Sequence, residues 1–125
     1  MSWSVLFHDE FDAEFRALAE DVQDKLLAAA RAVQIAGPKA GRPHVDTLKG
    51  SKHANMKELR FVAHAGREIW RAALAFDPDR TAIVLIAGEK QGRNQVLFYK
   101  RLIKIADRRF DSHLRQLKAA KMEKR

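Results

Sequence analysis

The sequence predicts an α+β fold: a short N-terminal strand, a helical hairpin, a three-stranded antiparallel meander completing the sheet, and a long basic C-terminal helix. Three observations predict it. From Asn55 to Gly88 the chain holds three runs suited to strands, NMKELRFVA, REIWRAALAFD and TAIVLIAG, each set off by turn residues. Upstream, apolar residues recur at helical spacing, and downstream QVLFYKRLIKIADRRFDSHLRQL keeps that spacing with basic residues in between. By size, 125 residues form one domain, spanning 1–125.

Each element has its own local reason. Trp3, Val5 and Phe7 alternate with Ser4, Leu6 and His8, the period of a strand lying in the same sheet as the meander. Asp9 is placed to cap a helix whose first turn carries Glu10 and Asp12, acids that suit the positive end of the helix dipole. Phe11, Phe15 and Leu18, then Val22, Leu26, Ala29 and Val33, predict two helices that bend between Ala19 and Asp24 and stop at Gly37-Pro38. The stretch from Gly37 to Ala54 has no period and reads as a loop. Turns are expected at Ala65-Gly66 and at Asp77-Pro78-Asp79-Arg80, with Gly92 and Asn94 before the last helix. That helix carries its apolar stripe on Phe98, Leu102, Ile105, Phe110, Leu114 and Leu117. Beyond it KAAKMEKR, 118–125, has no stripe and is expected to fray.

The formal net charge is +8 and the pI near 10.1, a balance that favours nucleic acid, an acidic protein or an anionic surface as partner. The charge is placed unevenly. Seven acids face three bases from Met1 to Ala36, whereas twelve bases face three acids from Lys90 to Arg125. The absence of cysteine excludes a disulfide framework and thiolate chemistry. No apolar run approaches the roughly 20 residues of a membrane helix. The first residues do not read as a signal peptide, and a cytoplasmic location without membrane contact is the expectation.

The basic residues are where chemistry is expected. Lys57, Arg60, Arg67, Arg71, Lys90 and Arg93 punctuate the strands, and Lys49 and Lys52 stand in the loop before them. Lys100, Arg101, Lys104 and Arg108 line the last helix, and together these cations read as a surface for RNA. Arg71 is an oddity in an apolar strand, which must either pair with Glu58 or Glu68 or look into a cleft. His8, His44, His53, His64 and His113 stand singly, so no metal site is read, and no phosphate loop or serine nucleophile elbow is present. RNA can be cut without metal when the 2′-hydroxyl attacks its neighbouring phosphate, which requires a base, fixed cations and a proton donor. A lysine serves as base only where burial and other cations depress its pKa, and arginine is the better clamp. Tyr99, the only tyrosine, stands near Lys90 and Arg93 in sequence and is a candidate donor.

The order of elements, with LKGSKHANMKELR, WRAALAFDPDRTAIVLIAGEK and FYKRLIKIADRRFDSHL, resembles the RelE/ParE superfamily of toxins, and within it the Gp49-like, HigB-type toxins of type II toxin–antitoxin systems. The resemblance covers nearly the whole chain. It implies a RelE-like fold and an mRNA interferase, a metal- and cofactor-independent endoribonuclease that cuts message on the ribosome and blocks translation. It also implies a cognate antitoxin, a HigA-like helix-turn-helix protein, beside mRNA and ribosomal RNA as partners. The family's hairpin arginine falls on Arg71, its basic residues after the third strand on Lys90 and Arg93, its late tyrosine on Tyr99, and the end of its second-strand motif on Arg60. One departure is plain: RelE carries two lysines in its second strand, and Met56 and Glu58 fall at those positions here, with Lys57 turned the other way. His53 or His64 could replace the missing base. The superfamily also contains ParE-type gyrase inhibitors, and a binding module without catalysis would present the same cations.

Overall fold

The computed structural model describes residues 3–90, 92 and 94–123. The elements run β1 (Ser4–Phe7), α1 (Asp9–Arg16), α2 (Glu20–Ala36), β2 (Val45–Thr47), β3 (Met56–Ala63), β4 (Glu68–Phe76), β5 (Thr81–Glu89) and α3 (Gln95–Glu123), as an α+β fold consistent with a RelE-like one. The five strands lie in the order β1-β5-β4-β3-β2. All neighbours are antiparallel except β1 and β5, which are parallel. The meander is thus β3-β4-β5, and β1 joins its far edge.

The strand alternation sorts side chains between two cores. Leu59, Phe61, Trp70, Leu74 and Val84 meet Phe11, Val22, Leu26 and Val33 of α1 and α2 on one face. Met56, Ala73, Ala75, Ile83 and Leu85 meet Leu102, Ala106 and Phe110 of α3 on the other. Ala72, Ala73 and Ala75 leave the middle of β4 without bulk, so helices cover both faces of it. Leu26, Leu59 and Leu74 are fully buried, each contributing roughly 1.5–3 kcal/mol. A register shift opposite Ala73 and Leu74 gives β5 one extra residue, so Leu85 and Ile86 both turn toward α3.

The helical hairpin breaks between Arg16 and Glu20, where the Gln23 side chain donates to the Phe15 carbonyl at 2.8 Å. Gly37 ends α2 with φ of +60°, and a Cβ there would lie 2.1 Å from the Trp3 indole nitrogen. Only glycine fits. The cap of α1 differs from expectation: His8, not Asp9, is the N-cap, and its Nδ1 accepts the Glu10 amide at 3.1 Å. The reason is the preceding strand, whose pairing carries on until the His8 amide reaches the Val84 carbonyl, leaving Asp9 already inside the helix.

The stretch from Gly37 to Ala54 is also more ordered than expected. It holds a 3-10 turn at Gly37–Lys39 and the edge strand β2, whose Val45 pairs with Leu59. Two buried anchors, Val45 and Leu48, explain the order. On α3 the stripe shifts: Leu102, Ala106 and Phe110 are buried with Arg109, while Ile105 and Leu117 are only half-buried. Arg109 can be buried because Glu14 of α1 receives it at 2.5 Å and the Leu85 carbonyl at 2.7 Å. Fraying after Leu117 is not observed among the described residues, since α3 continues to Glu123; positions 124 and 125 of the expected tail lie outside them. KAAKME has high helix propensity, and Lys121 reaches Asp79 at 3.0 Å.

Further ties fix α3 along its second half. Arg108 meets Glu10 at 3.3 Å, and Asp107 accepts from Ser51 at 2.5 Å. Asp111 receives both Lys52 and, at 2.9 Å, His53. His113 meets Asp77 at 2.8 Å.

Candidate functional site

Antiparallel pairing places Arg60 opposite Arg71 and Glu58 opposite Ala73. Because successive residues alternate in direction, Met56, Glu58 and Arg60 of β3 share the α3 face with Ala75, Ala73 and Arg71 of β4. Gly88 of β5 stands opposite Arg71 on the other side. Lys90 follows immediately, its amide donating to the Ile69 carbonyl at 2.7 Å. Asn94 then starts α3, its Oδ1 accepting the Leu97 amide at 3.1 Å. This start lays Phe98 over Gly88, where a Cβ would come within 3.0 Å of the ring. Tyr99 lies edge-on to Phe98 at 5.3 Å.

The result is a polar cluster between the sheet and the first turns of α3, made of Glu58, Arg60, Arg71, Lys90 and Tyr99. Glu58 and Arg71 are buried, 5% and 6% exposed. The Glu58 carboxylate accepts from Arg60 at 2.8 Å and lies 3.9 Å from the Arg71 Nε. Arg71 donates its Nη1 to the Trp70 carbonyl at 2.9 Å, while its Nε is buried with no acceptor in reach. Lys90 places its Nζ 5.6 Å from the centre of the Tyr99 ring. Three cations around one carboxylate leave the cluster positive, which suits an anionic ligand.

Burial lowers the Lys90 pKa from its ordinary value, and the charge of Arg71 lowers it further. The Tyr99 phenol moves up, first through burial and then through hydrogen bonding to Glu58, with Arg71 opposing. At neutral pH the phenol therefore keeps its proton. The ammonium yields its proton more readily than a lysine in water.

Arg71, Lys90, Tyr99 and Arg60 are thus brought together. Glu58 is one of the two acids the sequence offers Arg71, and it is the one that faces it; its bond to Arg60 is what the sequence did not suggest. The alternation that sets Arg60 opposite Arg71 also sets Glu58 on the same face, two residues along β3 and opposite Ala73, so the β3–β4 register reveals the bond to Arg60. Glu68, the other acid considered, bonds the Trp70 indole at 3.0 Å instead.

The remaining candidates are dispersed. Lys57 points to the opposite face and reaches Thr47 at 3.4 Å. Arg67 is exposed in the β3–β4 turn, where its Nε bonds the His64 carbonyl. His64 itself lies about 13 Å along the strand from Arg60 at four residues' distance, with its amide on Asp21 of α2. His53 packs on Phe110 and bonds Asp111, about 18 Å along the helix axis from Tyr99. Neither histidine joins the cluster. Lys49 is exposed, and Lys52 and Arg108 are occupied by Asp111 and Glu10. Lys100, Arg101 and Lys104 are exposed along α3. Arg93 lies outside the described residues.

Among the described residues no helix is long and apolar enough to cross a membrane. Nor do three metal-ligating side chains converge among them.

The family described as phage-derived protein Gp49-like matches residues 13–111. Two proteins of Mycobacterium tuberculosis (strain ATCC 25618 / H37Rv), named as candidate toxins HigB2 and HigB3, are 40% and 39% identical over 117 and 111 residues. The alignments cover 94% and 89% of the chain. The chain spans 57% of the length of HigB2 and 93% of that of HigB3. No solved structure matches it.

Proposed function

The chain belongs to the Gp49-like family, with the HigB-type toxins, and from that premise we propose that it is the toxin of a type II toxin–antitoxin module acting as a ribosome-dependent mRNA endoribonuclease. The observation that carries the reading is the cluster itself. Glu58, Arg60, Arg71, Lys90 and Tyr99 come from three strands' worth of chain and one helix, yet converge beneath the start of α3.

The chemistry follows from the protonation states. Lys90, with its depressed pKa, takes the proton of the 2′-hydroxyl, whose oxygen attacks the adjacent phosphorus. Arg71 and Arg60 hold the charge that builds on the phosphorane oxygens, and Glu58 fixes both guanidinium groups. The P–O5′ bond breaks as Tyr99 gives its proton to the leaving oxygen, leaving a 2′,3′-cyclic phosphate and a 5′-hydroxyl. Lys100, Arg101, Lys104, Lys49 and Arg67, all exposed, add non-specific attraction for message and ribosomal RNA. The cognate antitoxin we assign is a HigA-like helix-turn-helix protein, and the site of action is the cytoplasm.

The test is mapping of RNA 5′ ends on purified translating ribosomes incubated with the protein. Cleavage of ribosome-bound message, lost in Arg71→Ala and in Lys90→Ala proteins that remain folded, is the expected result. Intact message together with a DNA-damage response in cells would instead mark a gyrase inhibitor. Intact message without damage would leave a binding module.

A further inference from the structure

Lys90 is the cation of the cluster that no acid holds. Glu58 accepts from Arg60 at 2.8 Å and stands 3.9 Å from the Arg71 Nε. The Lys90 Nζ has no ion pair or hydrogen bond among the described residues, only the face of the Tyr99 ring at 5.6 Å. The sheet sets its place. Gly88 pairs with Arg71, Lys90 follows two residues on, and its amide is tied to the Ile69 carbonyl at 2.7 Å, so its side chain leaves from the face that carries Arg71.

Two shortages meet at this point. Negative charge is short, since Arg60, Arg71 and Lys90 share the single carboxylate of Glu58. An acceptor is short too, since Arg71 is 6% exposed and buries its Nε without a hydrogen-bond partner, a costly state for a donor. A carboxylate carried on the Lys90 nitrogen would meet both.

We propose that Lys90 takes up carbon dioxide as a carbamate, whose carboxylate lies against Arg71 and Arg60 and silences the cluster. The Nζ lone pair adds to the carbon of carbon dioxide, a C–O π pair withdraws onto oxygen, and the nitrogen gives its proton to solvent. Nothing is oxidised or reduced, and the side chain passes from cation to anion. The reaction needs the free amine, which burial and the Arg71 charge make more abundant here than on a lysine in water. The guanidinium that withholds a proton from the amine then holds the carboxylate, so one arrangement favours both states. An acetyl group would remove the lysine charge and add no negative one. The consequence for RNA rests on the endoribonuclease reading: the adduct removes the base and sets a negative charge where a phosphate would lie, making carbon dioxide a reversible inhibitor. The carbamate itself does not need that reading.

The probe is isotopically labelled bicarbonate in equilibrium with dissolved carbon dioxide, followed by carbon NMR of the whole protein. A carbamate resonance is expected that grows with pH at fixed dissolved carbon dioxide, vanishes on degassing and is absent from Lys90→Arg. Arg71→Met should carry about tenfold less of it, a change of about 1.4 kcal/mol. A resonance kept in Lys90→Arg, as from the N-terminal amine, would overturn the proposal, and so would equal occupancy in Arg71→Met. Should either variant misfold, trapping the unaltered protein with a trialkyloxonium salt and mapping the resulting carbamate ester by mass spectrometry decides the matter: an ester on Lys90 supports the site, and its absence there overturns it. Cleavage on ribosomes should fall in step with the resonance and recover on degassing. Cleavage indifferent to a filled Lys90 would overturn the inhibition, whereas a carbamate on a protein that never cuts RNA would overturn the endoribonuclease reading and uphold the site.

Discussion

Arg71 holds its Nε 3.9 Å from a Glu58 carboxylate that already accepts Arg60 at 2.8 Å, so one buried acid serves two arginines. The two partners should therefore be unequal in their effect on stability. Glu58→Ala leaves the buried Arg71 uncompensated and should cost about 3–5 kcal/mol. Arg71→Met leaves Glu58 paired with Arg60 and should cost under about 1.5 kcal/mol. Urea midpoints at unchanged m-value measure both. Equal losses would show that the carboxylate does not hold the arginines together.

The Lys90 pKa is lowered by burial and by Arg71, which fixes the form of the pH–rate profile. As a base, Lys90 works only unprotonated, so cleavage on ribosomes should climb with pH and level off below the ordinary lysine value of about 10.4. Lys90→Arg stays charged throughout. It should lose about 10²–10⁴ in rate together with the climb. A variant that keeps the rising profile would remove Lys90 from the proton transfer.

His8 titrates in the opposite regime. Burial, aided by Arg109 and opposed by Glu10 and Asp9, lowers its pKa in the folded chain. As pH falls, the unfolded chain takes up the proton first. The stability from neutral His8 is therefore complete above about pH 6.5 and drains away as pH falls through the lower folded value. His8→Asn retains an acceptor for the Glu10 amide and cannot be protonated, so its melting temperature should fall less steeply below about pH 6.5. Parallel melting curves for the two proteins would refute this.

Gly88 leaves room for Phe98, and a methyl there would press on the ring from 3.0 Å. Gly88→Ala should cost about 1–3 kcal/mol through overpacking. Phe98→Leu in the same chain should restore part of that loss. A double-mutant cycle in thermal denaturation reads the coupling, and strict additivity would mean that the two residues do not meet.

The meander was legible because alternation and turn residues act locally, within a few positions of the side chains they aim, whereas the grouping of Arg71 with Lys90 and Tyr99 rested on the resemblance to the RelE/ParE superfamily. What escaped depended on remote partners. Arg109 reads as a solvent residue until Glu14 is found against it from the other end of the chain. β2 is three residues long, too short for any period to appear. The extra residue in β5 exists only relative to β4, so no property of TAIVLIAGE alone betrays it. Glu58 was legible as a partner for Arg71, but the choice of it over Glu68 and its bond to Arg60 depend on the register of two strands at once.

Helix α3 is lashed down by Asp107, Arg108, Arg109, Asp111, His113 and Lys121, while among the described residues no ion pair holds it before Asp107. Its anchors come from three separated parts of the chain, so the distal half cannot swing clear without uprooting α1, the segment around Ser51 and the hairpin bend at Asp77 together. Any give is left to the opening turns above Arg71. A guest would thus meet a firm wall with one yielding lip, and the opening turns of the helix, not the sheet beneath them, would adapt to what binds.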